Sequence, residues 1–404
     1  MITMLSIDSN KIVYNHNYCQ QCSVCKYICP KEAISLVLQK DGLNKVVIDH
    51  NKCILCKKCV NVCPANRQDN FGGYFEHIEN REFGLGYNAD DIIRRNSSSG
   101  GVCRTIIIES LKKGLADGVC SLHKTNKFPY AEGTFYTKEN IPSYDDLPQS
   151  LYHSVGIGNV VAEAMKCNRL ILVGTACQLY AMEKALRGKY NSIIKICILC
   201  KQQKSLDSTR FLAKIMGTKI PENLNFSTRY RGEGWPGIVK VNKSELPYSK
   251  AAQIPFGKRL WTVPGCNICG DPLGIKVNAD ITLLDPWNIR PNNDLGETVV
   301  VINTDAGKKL LKSIPEIVFD RKNFTEIEPS LQLKDIWRKQ QLIAYFKGDE
   351  CSNVIRKAGK AEVWQRIFIR KIVETLPRMP ILFYSILNRL PDLRNLILNK
   401  IQFN

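Results

Sequence analysis

The sequence predicts three successive folds: a small α+β unit over residues 1–68, an α/β domain with a largely parallel sheet over residues 69–350, and a helical tail over residues 351–404. Three observations predict it. The first unit holds a tandem cysteine repeat. Between residues 155 and 314, short apolar runs bounded by turns alternate with helical patterns, the mark of strands covered on both faces. The tail mixes apolar and basic residues in stretches divided by Pro377, Pro380 and Pro391.

The repeat is exact in its spacing. Cys19-x2-Cys22-x2-Cys25-x3-Cys29-Pro30 recurs as Cys53-x2-Cys56-x2-Cys59-x3-Cys63-Pro64, every cysteine 34 residues after its counterpart. In two-cluster ferredoxins such a run wraps three corners of one iron-sulfur cube and sends its fourth thiolate to the other cluster. The spacing therefore assigns Cys19, Cys22, Cys25 and Cys63 to one 4Fe-4S cluster, and Cys53, Cys56, Cys59 and Cys29 to a second, in an α+β ferredoxin-like domain. Its strands are expected at 12–14, 34–38 and 46–48, the last two joined by the turn Asp41-Gly42. Zinc is the alternative, but zinc sites usually pair two C-x2-C knuckles. A disulfide framework fits less well, because residues 1–10 have neither the basic start nor the apolar core of a secretory signal. The expected compartment is reducing, the cytoplasm.

Of the 404 residues, 44% are hydrophobic and 24% charged, as in an ordinary folded chain, whereas 17 cysteines are not ordinary. The formal charge of +19 falls to about +13 when three thiolate-bound clusters each contribute −2. The basic residues are dispersed and no nucleic-acid motif accompanies them, so nucleic acid is not the expected partner. A docking face for an acidic electron carrier such as ferredoxin, or for the inner face of a membrane, fits the cysteines better.

Residues 67–93 read as a linker or covering loop. The run Arg94-Arg95-Asn96-Ser97-Ser98-Ser99-Gly100-Gly101 precedes a helical stretch at 102–113. Serines are expected to cap that helix, and paired glycines allow close approach to its free N–H groups, where an anion is favoured. A capped helix start without ligand explains the same residues. A strand at 118–122 follows, then a helix at 158–166, a strand at 169–173, a turn at 174–178, a helix at 179–186 and a strand at 192–199. Ligands gather at the carboxyl ends of strands in such sheets, where Cys177 and Cys200 lie. Further strands are expected at 238–241, 281–284 and 298–303, with Thr304 capping a helix to residue 314. The pair Cys266-x2-Cys269 needs two more ligands. Cys197 and Cys200 would make a zinc site; Cys177 and Cys200 would make a third iron-sulfur cluster; spacing leaves both open. Cys103, Cys120 and Cys167 read as small buried side chains. His123 and His153 are candidate proton donors, weighed against ordinary structural histidines.

The dicluster repeat, Arg95-x-Ser97-Ser98-Ser99-Gly100-Gly101, Gly174-Thr175-Ala176-Cys177-Gln178, Cys200-Lys201-x3-Ser205, Tyr230-Arg231-x3-Gly234-Trp235, and Cys266-x2-Cys269 followed by Asp280 through Asp285-x-Trp287 together resemble the beta-subunit family of coenzyme F-420 hydrogenases and dehydrogenases. The resemblance implies an iron-sulfur flavoprotein: a flavin-binding α/β domain with a non-covalent FAD and a nearby third 4Fe-4S cluster on Cys177, Cys200, Cys266 and Cys269. It also implies flavin contacts from Ser98, Ser99, Gly100, Gly101, Gly174, Thr175 and Asp285. Ala176, Gln202 and Leu284 depart from the family pattern. The expectation is an oxidoreductase relaying electrons between a ferredoxin-type or F-420-type carrier and a substrate, or alternatively an electron-transfer subunit of a larger complex. The basic tail is a possible anchor for that partner or for a membrane surface.

Overall fold

The computed structural model describes residues 5–8, 11–67, 71–251, 253–289, 293–375 and 381–401. Two hairpins open the chain: β1 (Leu5–Asp8) pairs with β2 (Lys11–Tyr14), and β3 (Ile34–Leu38) with β4 (Asn44–Ile48). Gly42 closes the second hairpin at φ +81°, and a Cβ there would meet Leu206 at 2.6 Å. The third cysteine of each run sits on a one-turn helix, Val24–Tyr27 or Lys58–Asn61. The backbone repeats with the sequence. Gln21 and Ser23 are left-handed at φ 61° and 66°, and their counterparts 34 residues on, Leu55 and Lys57, are left-handed at 54° and 63°.

The remaining strands are β5 (Glu82–Asn88), β6 (Gly118–Lys124), β7 (Ala131–Tyr136), β8 (Arg169–Gly174), β9 (Ser192–Ile198), β10 (Thr228–Arg229), β11 (Ile238–Val241), β12 (Ser244–Pro247), β13 (Ile281–Leu284), β14 (Thr298–Ile302) and β15 (Ile317–Lys322). Three of them, β10 to β12, make a small antiparallel sheet; the other eight form one sheet in the order β15-β5-β14-β13-β9-β8-β6-β7. Only its centre, β13-β9-β8-β6, is parallel. The sheet is therefore mixed, and the expectation of a largely parallel sheet is corrected. Two physical reasons account for it. The connection from β13 to β14 holds no helix among its described residues, so the chain returns antiparallel. Residues 67–93 also contain β5, a strand inside the sheet instead of a loop. Its Gly84 and Gly86 look like turn residues in sequence, yet a Cβ at Gly84 would strike the Phe319 ring at 2.4 Å and one at Gly86 would meet Val102 at 3.0 Å. They are glycines because neighbours lie against the strand.

Alternation divides the core between the two faces. Ile171, Ile196, Leu283 and Val300 pack with Val102, Ile106 and Leu310 on one side. Leu170, Leu172 and Cys197 pack with Leu179 and Met182 on the other. Leu284 joins Leu85, Val299, Leu331 and Ile336 in that second layer, so the leucine fills core volume under the helices Phe324–Leu331 and Leu333–Gln341.

The tail is helical: Asn353–Thr375, Ile381–Arg389 and Leu393–Leu398. Pro391 separates the last two helices, while Pro377 and Pro380 lie outside the described residues. Ile369, Val373, Tyr384 and Leu387 are buried against Phe211 and Trp261, so the tail is docked on the main domain. Among the described residues no helix is long and apolar enough to cross a membrane.

Candidate metal centres and an aromatic pocket

The eight repeat cysteines separate into two groups around two cavities. Cys19, Cys22, Cys25 and Cys63 ring the first; Cys29, Cys53, Cys56 and Cys59 ring the second. The fourth cysteine of each run has crossed to the other ring, as the spacing requires. Burial pushes the Cys25 thiol up, with Cys63, Cys19 and Cys59 adding to it. Burial likewise brings Cys59 to about 11, with Cys29, Cys56 and Cys53 contributing. Thiols so crowded resist ionisation unless a cation draws the charge. Backbone and side-chain donors already face the sulfurs: the Gln21 N–H and Nε2 donate to Cys19 Sγ at 3.4 and 3.2 Å, and the Ala33 N–H donates to Cys29 Sγ at 3.4 Å.

A third ring forms at the carboxyl edge of the parallel centre. Cys177 sits in the first turn of the helix Ala176–Leu186 after β8, Cys200 just past β9, and Cys266 with Cys269 at the turn Pro264–Ile268. These four line one cavity together with Gln20, Thr175 and Lys339. Burial raises the Cys177 thiol, and Cys269, Cys200 and Cys266 each raise it further. Cys197 is elsewhere. It is fully buried in the core with Leu172 and Met182. Of the two ligand pairs that spacing left open, the fold brings Cys177 and Cys200 to Cys266 and Cys269.

Gln20 is a shared wall, lining both the first ring and the third. The contact beside it is backbone on backbone: a Cβ on Gly265 would lie 2.3 Å from the Cys19 carbonyl oxygen. Among the described residues, no three His, Cys, Asp or Glu side chains converge as they would on a single ion.

The flavin-site residues expected from the resemblance fall into two places. Ser98, Ser99, Gly100 and Gly101 lead into the helix Val102–Lys112, but the residue that caps it is Gly101 at φ +84°, with no side-chain cap. The serines are otherwise engaged, which corrects the capping expectation. Ser98 Oγ accepts from the Ser150 N–H at 2.6 Å, and Ser99 Oγ meets Thr298 Oγ1 at 2.9 Å. Gly100 has no room for a Cβ, which would lie 2.2 Å from the Gly86 carbonyl. Thr175 lines the third ring's cavity: its Oγ1 is 3.2 Å from Cys177 Sγ, and its N–H donates to Gln178 Oε1 in a capping box, with Gly174 just before it at the end of β8.

Asp285 and the Ser98 carbonyl meet at Arg231. This guanidinium is fully buried, lies 4.2, 4.5 and 5.0 Å from the ring centroids of Trp235, Tyr248 and Trp287, and donates to the Ser98 carbonyl at 3.0 Å. Asp285 is 3.6 Å away; burial raises its carboxyl and Arg231 opposes that rise. Arg231 Nη1 is buried with no hydrogen-bond partner. An orphaned cationic donor next to a glycine-rich helix start fits an anionic group such as a flavin phosphate. Tyr248 carries no signal in the sequence, because it reaches this pocket from the small sheet. His153 is buried, bonded through Nε2 to Thr209 Oγ1 at 2.5 Å and held neutral by burial, its pKa lowered to about 3. It is a structural histidine. His123 bonds Tyr136 OH at 3.1 Å.

Residues 167–324 match the family model for the carboxyl-terminal part of the coenzyme F420 hydrogenase/dehydrogenase beta subunit. The chain therefore carries a beta-subunit carboxyl-terminal domain at residues 167–324. Residues 18–67 match a 4Fe-4S dicluster domain, and a second dicluster model covers 45–99. The beta-subunit match contains all four cysteines of the third ring, Arg231 and Asp285; the turn at 98–101 and the tail lie outside it. Among solved structures, the F420-reducing NiFe hydrogenase complex from Methanosarcina barkeri, studied by xenon derivatization, aligns at 17% identity and a TM-score of 0.47, covering 66% of this chain and 89% of that one. No curated protein matches the chain. The chain thus joins a dicluster segment, which Gly265 touches at Cys19, to a domain with a four-cysteine ring of its own.

Proposed function

We propose that the protein is an iron-sulfur flavoprotein oxidoreductase that relays electrons, one at a time, between a ferredoxin-type or F-420-type carrier and a substrate. In this reading Cys19, Cys22, Cys25 and Cys63 hold one 4Fe-4S cluster, Cys53, Cys56, Cys59 and Cys29 a second, and Cys177, Cys200, Cys266 and Cys269 a third. FAD belongs against Ser98, Ser99, Gly100, Gly101, Arg231 and Asp285, with Gly174 and Thr175 on the side of the third ring. The observation that carries the reading is the sorting of twelve cysteines into three separate rings, two of which share Gln20 as a wall. A bound flavin supplies the exchange between single electrons and a hydride pair. The chain's own residues hold and tune. Gln21 donates to Cys19 Sγ, a contact of the kind that sets cluster potential. Arg231 offers its orphaned N–H to an anionic part of the cofactor. Lys201 and Lys339 place positive charge at the third ring.

The test is anaerobic quantification of iron, sulfide, zinc and flavin. The expected content is about twelve irons and one FAD per chain. Cys266→Ser should lower the iron to about eight while leaving the dicluster spectrum in place. Zinc in place of the third cluster, with no flavin, would overturn the enzyme reading.

One observation favours a second reading, an electron-transfer subunit that works only in a complex. On the helix Asn353–Thr375, Trp364, Ile367 and Phe368 are 58%, 61% and 46% exposed, and Trp364 stacks on Phe368 at 5.2 Å. Exposed lysines 357, 360 and 371 flank them. An apolar centre with a basic rim suits a protein partner whose socket is rimmed with acid. Isolation from the native source should then yield a stoichiometric partner, released from the double variant Trp364→Ser, Phe368→Ser. A monomer active alone would refute this reading.

A further inference from the structure

Cys266, Lys201, Gln202 and Lys339 line the third cysteine ring and also a second, larger cavity of about 260 Å³. Its far wall comes from the tail: Glu362 and Arg366 on the helix Asn353–Thr375, then Asp392 and Arg394 at the last helix. These residues lie beyond the family match at 167–324. Phe256, Leu342 and Phe346 add apolar surface.

The wall is rich in cations, and each carboxylate is shared. Glu362 takes Arg259 Nε at 3.1 Å, Arg394 Nη1 at 3.5 Å and also Arg366. Asp335 takes Arg394 at 2.7 Å and Lys201 at 2.9 Å. Asp392 takes Arg259 at 3.3 Å and Lys258 at 3.6 Å. Lys339 makes no ion pair among the described residues and donates to the Lys201 carbonyl. Arg366 Nε is buried with no hydrogen-bond partner. Five cations of the lining, with Lys258 behind Asp392 as a sixth, thus meet three carboxylates. A thiolate-bound cluster of charge about −2 in the neighbouring ring would offset two of the three excess charges at most. Arg366 and Lys339 are partly buried, where a cation without a full complement of partners is disfavoured, and guanidinium forks match the oxygens of carboxylate and phosphate.

We propose that this cavity binds a small organic oxyanion, held by Arg366 and Lys339 beside Cys266. Its volume is near the lower end of small-molecule sites, about 300 Å³, so the ligand is compact. That the bound anion is the electron partner of the third ring follows only if the relay proposed above holds.

The test is calorimetric titration of the anaerobically purified full chain at low ionic strength with succinate and, separately, inorganic phosphate. Saturable binding of at least one is expected, weakened about tenfold or more in Arg366→Gln and in Lys339→Gln. Binding of succinate alone assigns a carboxylate ligand, and binding of phosphate alone a phosphate ester. Should Arg366→Gln fail to fold, Lys339→Gln carries the test, because its lysine leaves no carboxylate behind. No saturable binding of either probe, or binding unchanged in a variant that keeps the wild-type thermal midpoint, overturns the proposal. Iron measured on the same samples separates it from the relay. Anion binding by protein lacking the third cluster sinks the relay and leaves the site; about twelve irons with no anion binding does the reverse.

Discussion

Gly265→Ala is expected to uncouple the dicluster segment from the third ring while leaving most of the chain folded. A Cβ at this position would lie 2.3 Å from the Cys19 carbonyl oxygen and 2.5 Å from that of Tyr18. Both obstacles are backbone, so no side-chain rotation relieves them. The turn Pro264–Ile268 must retreat from residues 18 and 19, carrying Cys266 with it. Overpacking of this kind costs about 1–3 kcal/mol. An effect on transfer is expected as well, since electron transfer between two centres slows as their separation grows. If the relay proposed above holds, reduction of the third centre through the first should slow measurably in rapid-mixing experiments, with flavin content unchanged. Wild-type transfer rates in Gly265→Ala would show that electrons do not cross at this contact. The variant also separates coupling from assembly. Iron falling in step with rate would mean that the substitution empties the ring before it disturbs the path.

The site was more legible than the sheet, for a physical reason. Cluster ligands must recur at fixed spacing, so two rings could be read from a 34-residue register alone, down to the crossed positions of Cys29 and Cys63. The third ring draws on β8, β9 and the 264–268 turn, and only the fold decides that Cys177 faces it while Cys197 faces the core. Buried parallel strands such as 169–174 and 192–198 announce themselves as continuous apolar runs. β5 did not, because Phe319 and Val102 occupy the space its glycines leave open. Arg231 stands in a recognisable motif with Trp235, yet its enclosure by Tyr248 and Trp287 as well depends on two further segments that no local pattern connects.

Asp271→Ala should be the most destabilising single change away from the cysteines. The carboxylate is 2% exposed and gathers four donors from three parts of the chain: Arg67 Nη2 at 3.2 Å, Tyr74 OH at 2.8 Å, and the N–H groups of Lys276 and Val277 at 3.2 and 3.1 Å. Arg67 closes the dicluster segment, Tyr74 precedes β5, and Asp271 itself follows Cys269 by two residues. One side chain therefore ties the first segment, the lead into the sheet and the third ring together. Burial pushes its carboxyl up, and Arg67 is the largest influence holding it down. Breaking a buried pair by removing one partner costs about 3–5 kcal/mol, a fall in thermal midpoint of about 4–6 °C for a chain of this length. Asp271→Asn keeps the shape and loses the charge, so the gap between the two variants measures how much of the tie is ionic. The cycle with Arg67→Met should be strongly non-additive, because the second substitution removes a partner already lost. A midpoint within about 2 °C of wild type in Asp271→Ala would mean that the other ties between the segments, such as the Ile157 N–H to the Cys22 carbonyl and the Gly158 N–H to Ser23 Oγ, hold them without this carboxylate.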